Sequence, residues 1–355
     1  MQSWLARDAA AVWHPFTQHS MWSRDEPTVI DRAEGPWLYD VDGNRYLDGV
    51  SSLWVTTFGH RTPEIDQAIR DQLDRLDHAT FLGATHVPGI ELAERLLRCA
   101  PTGEGPRLGK VFYAGDGSSA VEVALKMAYK HSVQSGQARP LFVHLQEAYH
   151  GDTLGAVSVG GIELFHATYR PLLLRTLAVG SPGTRKPGQS PAERAAEVTA
   201  ELTSLLDRYG GQVCAVVVEP MVQAAAGMLT YDASFLRSAG ALATAHGALL
   251  ICDEVATGIG RTGRMWASEH AGVVPDLLTC GKGLTGGYLP LSAVLTTDAV
   301  YESFLGSAAS GRTFFHGHTY TANPLCCAAA NANLALIESR GLLELARSLG
   351  ELPVC

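Results

Sequence analysis

The sequence predicts an α/β protein with a mostly parallel sheet covered by helices. From residue 108 onward, short apolar runs alternate with longer amphipathic stretches, which is the pattern of strands separated by helices. Two polar residues suited to chemistry, Asp253 and Lys282, come just after two of these runs. Open α/β sheets bind their ligands at the carboxyl ends of the strands. The same observations therefore predict both the fold and the position of a site.

The individual elements follow from the apolar pattern. Strands are predicted at Lys110–Tyr113, Leu141–Leu145, Val213–Val218, Ala248–Cys252, Leu277–Cys280 and Leu291–Leu295. Helices are predicted near 118–134, 191–208 and 232–246, with two earlier ones from Pro63 and over 89–99. An Asp-Gly pair between the alternating runs of Trp37–Asp48 predicts a β-hairpin. We expect an N-terminal lobe over 1–60 that contributes to the active site, a large domain over 61–330, and the start of a C-terminal domain over 331–355.

Composition excludes several classes of protein. The chain has 355 residues, 46% of them hydrophobic, which is enough for a large core. Its net charge is −9 and its basic residues are scattered, so no nucleic-acid partner is expected. The seven cysteines show no disulfide framework and no metal-binding spacing, which favours a reduced compartment and no metal. Because no signal sequence or membrane-spanning run is present, we expect a cytoplasmic protein without a membrane partner.

Lys282 is the most informative single residue. Only five lysines occur, and Lys282 alone follows a buried strand, between two glycines. Enclosure could lower its pKa and make it nucleophilic, so that it forms a Schiff base with a carbonyl cofactor and serves as a base. Asp253 could hold a pyridine nitrogen protonated, although Asp253-Glu254 is also compatible with a helix cap. Together the two residues predict a pyridoxal phosphate site.

Further segments could complete that site. The turn Gly115–Gly117 opens a helix whose free N–H groups favour a phosphate, with Ser118 adding a hydroxyl; a plain glycine turn with Ser118 as N-cap is equally compatible. Tyr149 could stack on a flat ring or be ordinary packing. Thr319 could donate to a phosphate or lie in a surface turn. Arg261 could bind a carboxylate or pair near Asp253 and Glu254.

Taken together, these motifs resemble the class III (fold type I) pyridoxal-phosphate-dependent aminotransferases. The resemblance runs from about residue 12 to 340, and Asp253–Gly263 followed by Gly281–Gly283 carries it most specifically. It implies a transaminase whose large domain binds pyridoxal phosphate and whose homodimer places the sites at the subunit interface.

Other segments resemble the branch of the family that acts in biotin biosynthesis. They are Trp13–Gln18, Asp48–Trp54, Ala79–His86, Tyr149–Thr153 and Gly317–Thr319. The resemblance implies the conversion of 8-amino-7-oxononanoate to 7,8-diaminononanoate, with S-adenosylmethionine as amino donor.

The resemblance also assigns roles to individual residues. Catalysis would fall to Lys282, Asp253 and Tyr149. The cofactor would be bound by those three residues together with Gly117, Ser118 and, from the neighbouring subunit, His318 and Thr319. Substrate would be contacted by Phe16, Leu53, Trp54, Tyr149, Lys282 and Gly317.

Three departures from the family pattern keep alternatives open. Leu53 stands where many members have tryptophan, which would leave one wall of the pocket with less aromatic surface. Phe16 replaces a tyrosine and lacks its hydroxyl, so the donor could be another amine such as lysine. The chain stops at Cys355, before the region in which members carry an arginine for the substrate carboxylate, and has no matching arginine. We therefore expect a C-terminally truncated chain. The alternatives are another ω-aminotransferase of this class and a catalytically inactive fragment.

Overall fold

The first hundred residues form small elements that lead into the main sheet. The computed structural model describes residues 1–22, 24, 27–103 and 105–351. Its N-terminal elements are α1 (Gln2–Ala11), α2 (His19–Trp22), β1 (Ile30–Glu34), β2 (Trp37–Asp40), β3 (Arg45–Leu47), the one-turn α3 (Ser51–Trp54), α4 (Pro63–Leu73) and α5 (Val87–Arg98). Strands β1 to β3 form an antiparallel sheet, which confirms the hairpin predicted around Asp42-Gly43.

The remaining chain alternates strands and helices. The elements are β4 (Leu108–Ala114), α6 (Gly117–Gln134), β5 (Leu141–Leu145), α7 (Leu154–Ser158), α8 (Glu163–His166), β6 (Thr176–Val179), α9 (Pro191–Tyr209), β7 (Val213–Val218), β8 (Val222–Gln223), β9 (Leu229–Thr230), α10 (Ala233–Ala245), β10 (Leu249–Asp253), β11 (Leu277–Cys280), β12 (Ser292–Thr297), α11 (Asp298–Glu302), α12 (Pro324–Ser339) and α13 (Leu342–Gly350).

Seven of these strands form the main sheet, in the order β4-β12-β11-β10-β7-β5-β6. Strand β12 runs antiparallel to both of its neighbours, and the other pairings are parallel. All six predicted strands are therefore confirmed, and the sheet is mostly parallel as expected. The sequence analysis missed β6, because Thr176–Val179 is a short edge strand with three of its four residues partly accessible or exposed.

Both faces of the sheet are buried, as parallel sheets require. Strand β7 shows this directly, since Val216 and Val218 pack with helices α9 and α10, whereas Ala215 and Val217 pack with α6. Helices α5 and α12 cover the β4–β12–β11 end in a separate cluster. Among the described residues, no helix is both long and apolar enough to cross a membrane.

Helix starts follow local capping chemistry. Helix α9 begins with a capping box in which Ser190 and Glu193 bond each other's backbone, and α4 begins with Pro63. Helix α6 begins at Gly117, with Asp116 accepting the Ser119 N–H as N-cap. The alternative that placed Ser118 at the N-cap is therefore wrong. The division at 60 and 330 stays a prediction, and Leu352–Cys355, with the predicted truncation point, lie outside the described residues.

Candidate active site

A cavity of about 290 Å³ lies where the parallel strands end. Strands β4, β5, β7 and β10 all deliver residues to it, because parallel strands place their carboxyl ends at one edge of the sheet. Its walls are formed by Trp54, Asp116, Gly117, Ser118, Tyr149, His150, Gly151, Glu219, Ala224, Ala225, Asp253, Val255, Ala256 and Lys282. Lys282, Asp253, Tyr149, Gly117, Ser118 and Trp54 were all predicted site residues, and the fold brings these six together.

Lys282 lies in a short 3-10 turn, Lys282–Thr285, that begins two residues after β11. Its backbone φ is 42°, in the left-handed region that non-glycine residues rarely adopt. Its Nζ lies 5.6 Å from the centroid of the Trp54 ring. Burial lowers the pKa of Lys282, although Asp253 and Glu219 oppose the shift. The lowered pKa favours the neutral, nucleophilic amine that the sequence analysis predicted.

Asp253 is the last residue of β10 and is 5% exposed. Its Oδ2 accepts from His150 Nδ1 at 2.6 Å, while its Oδ1 accepts from the Val255 N–H and the Thr279 hydroxyl, both at 3.0 Å. The alternative of a helix cap is wrong, because β10 leads into turns rather than an α-helix. The carboxylate is instead held by three hydrogen bonds in the wall of the cavity.

Two further glutamates near this carboxylate are buried, Glu219 at the end of the neighbouring strand β7 and Glu254 next to Asp253 in sequence. Glu219 directly follows β7, lines the cavity and accepts the N–H groups of Tyr149 and Ala224. Burial raises the pKa of Glu219 to about 7. Glu254 is fully buried and accepts from Thr257, Ala267 and Ser268, so it anchors the segment that follows β10. Burial likewise raises the pKa of Glu254 to about 7.

The glycine turn before α6 is tightly enclosed. A Cβ on Gly117 would lie 2.7 Å from Val255 Cγ1, whereas a Cβ on Gly115 would meet no atom within 4 Å. The hydroxyl of Ser118 accepts the Asp152 N–H at 2.9 Å. Within the described residues, the N–H groups of Gly117 and Ser118 have no hydrogen-bond partner. Free N–H groups at the start of an 18-residue helix are suited to an anion such as a phosphate.

A row of aromatic rings runs from the cavity to the N-terminal segment. Tyr149 donates its hydroxyl to Asp152 at 2.8 Å, and its ring lies 6.3 Å from that of Phe165. Phe165 in turn packs edge-on against Phe16 at 5.4 Å. The sequence analysis missed Phe165, since nothing in its own segment marks it. Phe16 is thus tied to the site through Phe165, although 72% of it is exposed.

Of the two predicted neighbours Leu53 and Trp54, one lines the cavity and the other does not. Trp54 lines the cavity, whereas Leu53 is not among its lining residues and is 68% exposed. Arg261 donates to the carbonyl oxygens of Ala256 and Trp54, at 2.8 and 2.6 Å. Arg261 therefore bonds backbone near Glu254, and within the described residues it forms no ion pair with a carboxylate.

Gly317, His318 and Thr319 are not among the residues that line the cavity of their own chain. Gly317 and Thr319 are exposed, and His318 lies 3.3 Å from His316. His316 itself contacts Lys126 on α6, at 2.9 Å. Their assignment to a neighbouring subunit stays a prediction. Within the described ranges, no group of three or more His, Cys, Asp or Glu side chains is arranged to hold a metal ion.

Comparison with known proteins identifies the class that this fold and site define. The family described as Aminotransferase class-III matches residues 19–352. The chain therefore belongs to the class III aminotransferases.

Two similar curated proteins carry the same name. The chain is 51% identical over 348 residues to the adenosylmethionine-8-amino-7-oxononanoate aminotransferase of Nitratidesulfovibrio vulgaris, covering 96% of this chain and 63% of that protein. It is 46% identical to the protein of the same name from Geobacter sulfurreducens, covering 98% of this chain and 75% of the relative. The chain thus spans about two thirds to three quarters of the length of these relatives.

Solved structures agree on the fold. The structure of the Methanocaldococcus jannaschii protein of that name superposes with a TM-score of 0.89 at 40% identity, over 97% of this chain and 77% of the other. An (S)-enantioselective ω-transaminase from Thermomicrobium roseum gives a TM-score of 0.89 at 33% identity, over 97% and 76%. The predicted fold type I architecture is confirmed.

Proposed function

We propose that this chain is a pyridoxal-phosphate-dependent aminotransferase that converts 8-amino-7-oxononanoate to 7,8-diaminononanoate in biotin biosynthesis, with S-adenosylmethionine as amino donor. The observation that carries the proposal is the juxtaposition of Lys282 and Asp253 on one cavity at the carboxyl edge of the sheet. The common name of relatives at 46% and 51% identity supports the substrates.

The residues present fit pyridoxal phosphate. The free N–H groups of Gly117 and Ser118 suit its phosphate, and the crowding at Gly117 explains why a side chain is absent there. The Asp253 carboxylate suits the pyridine nitrogen, Lys282 suits the aldehyde carbon, and Tyr149 could stack on the ring. When bound, pyridoxal phosphate supplies an electron sink and a carbon that carries the amino group from donor to acceptor.

Each side chain then has a defined task. Lys282 Nζ, kept nucleophilic by burial, takes the proton from the substrate carbon that bears the amine. Asp253 favours a protonated nitrogen because opposite charge stabilises the charged form. His150, Val255 and Thr279 orient that carboxylate through three hydrogen bonds. The enclosure of the cavity by Trp54 and Tyr149 limits water near the reacting atoms.

The absence of a hydroxyl at Phe16 is the reason to test two amino donors, S-adenosylmethionine and lysine. Phe16 reaches the site through Phe165 and Tyr149, and it carries no hydroxyl. A site that lacks a hydrogen-bonding group discriminates differently between polar substrates. We therefore propose S-adenosylmethionine as donor and treat lysine as the competing outcome. The similarity to a solved ω-transaminase supports a second candidate, an ω-aminotransferase of broader amine specificity.

An absorbance experiment tests the proposal. The purified protein with pyridoxal phosphate is expected to show a visible band that S-adenosylmethionine bleaches and 8-amino-7-oxononanoate then restores. Bleaching by lysine alone would identify the other donor. Bleaching by diamines with recovery by pyruvate, and no response to 8-amino-7-oxononanoate, would support the ω-aminotransferase. Absence of any band would contradict the proposal and favour an inactive chain. The Phe16→Tyr variant, compared with both donors, measures the contribution of the missing hydroxyl.

We further propose a cytoplasmic homodimer in which Gly317, His318 and Thr319 serve the site of the neighbouring subunit. Their position outside the cavity of their own chain supports this arrangement. Mixing inactive Lys282→Ala with a Thr319→Ala, His318→Ala double variant tests it. Shared sites predict that mixed dimers regain activity, because one of their two sites is assembled from intact residues only. No regain in mixtures shown to exchange subunits would contradict the proposal.

A further inference from the structure

Four consecutive residues beside the cavity have left-handed backbone conformations. The φ angles of Ser51, Ser52, Leu53 and Trp54 are 50°, 47°, 69° and 65°, and none of these residues is glycine. Left-handed turns are unfavourable for L-residues because Cβ approaches the following carbonyl oxygen. Such a segment persists only where its surroundings hold it, and this kind of strain clusters at functional sites.

Asp48 holds the turn at its start. Its Oδ1 accepts the Ser52 N–H at 2.8 Å, and its Oδ2 accepts the Ser52 hydroxyl at 2.7 Å. His60 Nε2 lies 2.8 Å from the same Oδ2, and only 5% of the Asp48 side chain is exposed. Burial alone would raise the pKa of Asp48, but the hydrogen bonds from Ser52 and His60 outweigh it and leave that pKa below its usual value. Both oxygens of the carboxylate are therefore engaged, by Ser52 of the turn and by His60.

The turn leads directly to the reactive centre. Trp54, its last residue, lines the cavity and has its ring 5.6 Å from Lys282 Nζ. Three residues later, the hydroxyl of Thr57 donates to the carbonyl of Gly283 at 3.3 Å, beside Lys282. A right-handed or extended segment at 51–54 would redirect the Trp54 ring. The conformation of the turn therefore determines what faces Lys282.

We propose that Asp48 is a positioning residue of this site, which keeps Ser51–Trp54 left-handed and thereby fixes the Trp54 ring beside Lys282. The inference rests on the proposed substrate-facing role of Trp54, but its conformational part can be tested without any substrate. His60 assists by bonding the second oxygen of the same carboxylate.

The conformational part is tested with Ser51, whose side chain makes no hydrogen bond in the described structure. In ordinary helices and strands, glycine is less stabilising than alanine; in a left-handed position the order reverses. We expect the thermal midpoint of Ser51→Gly to exceed that of Ser51→Ala, in the cofactor-loaded protein. A higher midpoint for Ser51→Ala would overturn the left-handed turn and the proposal with it.

The positioning part is tested with Asp48→Ala and its combination with Ser51→Gly. Asp48→Ala is expected to keep pyridoxal phosphate affinity within about twofold while kcat/KM for the amino acceptor falls roughly tenfold. Adding Ser51→Gly should recover part of that loss, because glycine lowers the cost of the turn, whereas adding Ser51→Ala should not. The matched control is Asp42→Ala in the nearby hairpin, where the side chain is 51% exposed and, among the described residues, bonds the N-terminus alone.

The outcomes separate this inference from the proposed function. The positioning role would be overturned if Ser51→Gly and Ser51→Ala changed the kcat/KM of Asp48→Ala equally. It would also be overturned if Asp48→Ala alone left kcat/KM unchanged. Inactivity of the parent protein toward 8-amino-7-oxononanoate, with the expected order of unfolding midpoints, would reject the proposed substrate and leave the turn intact. In that case, the effect of Asp48→Ala on kcat/KM would be measured with an amino acceptor that the parent protein does use.

Discussion

His150 Nδ1 donates to Asp253 Oδ2 across 2.6 Å, with the histidine side chain completely buried and the aspartate 5% exposed. Burial alone would lower the pKa of His150, but the hydrogen bond and the charge of Asp253 outweigh it and raise that pKa. The imidazole therefore carries positive charge more readily than a free histidine. It both orients the carboxylate and balances its charge.

Replacing His150 with phenylalanine should leave that buried carboxylate without its principal partner. Removing one member of a buried ion pair costs about 3 to 5 kcal/mol of unfolding free energy. We expect a loss of this order in chemical denaturation and weaker binding of pyridoxal phosphate in a titration. The control is His144→Phe on β5, a buried histidine that lies outside the cavity walls. Equal effects of the two variants on cofactor affinity would show that His150 has no special relation to the site.

Glu219 makes stability depend on pH in a direction that is unusual for a carboxyl group. Burial raises its pKa to about 7 from the model-peptide value of 4.5. Between these values the folded chain keeps a proton that the unfolded chain has released, so stability falls as pH rises from 4.5 to about 7. The single group accounts for about 3 kcal/mol at most.

The Glu219→Gln variant should flatten this dependence. Denaturant unfolding at several pH values between 4.5 and 7 measures the slope in the variant and the parent. Glu254→Gln is the matched comparison, because its pKa is also raised to about 7 by burial, although it does not line the cavity. Both variants should lower the slope, and only Glu219→Gln should also change pyridoxal phosphate binding. An unchanged slope in Glu219→Gln would refute the raised pKa.

The most informative predicted residues of this site come just after apolar runs in the sequence. Asp253 and Lys282 were predicted from that position, and Glu219, which directly follows the run Val213–Val218, could have been predicted in the same way. His150 could not be paired with Asp253 in advance, because 103 residues separate them and only the sheet order brings them together. A buried strand can be predicted because its residues are apolar, which the local sequence shows. A contact between side chains from two strands depends on the order of the strands in the sheet, which the local sequence does not show.

The turn at Ser51–Trp54 shows the limit more sharply. Left-handed conformations are predicted from glycine or asparagine, and this segment contains neither. Instead, it is held by a local contact from Asp48, four residues before Ser52, and by a tertiary contact from Arg261 to the Trp54 carbonyl. Phe165 was missed for a related reason. Its place in the site depends on contacts with Phe16, between α1 and α2, and with Tyr149, after β5, and not on its own sequence. Site residues with unusual backbone conformations, and those positioned by distant neighbours, are therefore identified from the structure and not from the sequence.

Phe165 should determine how the acceptor is held. Its ring lies between Phe16 and Tyr149, so Phe165→Ala removes the link between the N-terminal segment and the cavity. We expect kcat/KM for the amino acceptor to fall about tenfold with cofactor affinity nearly unchanged. Tyr169→Ala, at a position of the same segment that is 49% exposed, is the control. If Phe16 acts through Phe165, the double variant with Phe16→Ala should lose less than the product of the single losses.

Gly117→Ala tests the phosphate-binding assignment against simple crowding. The added methyl would lie 2.7 Å from Val255 Cγ1 and beside the free N–H groups of the turn. We expect pyridoxal phosphate affinity to fall about tenfold or more, which corresponds to at least about 1.4 kcal/mol. Gly115→Ala is the matched control, because a methyl there meets no atom within 4 Å. Similar losses in both variants would mean that general damage to the turn, rather than the Gly117 position, weakens binding.

A second substitution separates the two causes at Gly117. Val255→Ala removes the atoms that the new methyl would strike, so it should restore the stability of Gly117→Ala if crowding alone is responsible. It should not restore affinity for the cofactor if the methyl also excludes a phosphate from the N–H groups at the start of α6. Inorganic phosphate offers an independent readout. It should protect the parent protein against thermal unfolding, and it should protect the double variant Gly117→Ala with Val255→Ala less. Equal protection of both proteins would place the phosphate elsewhere.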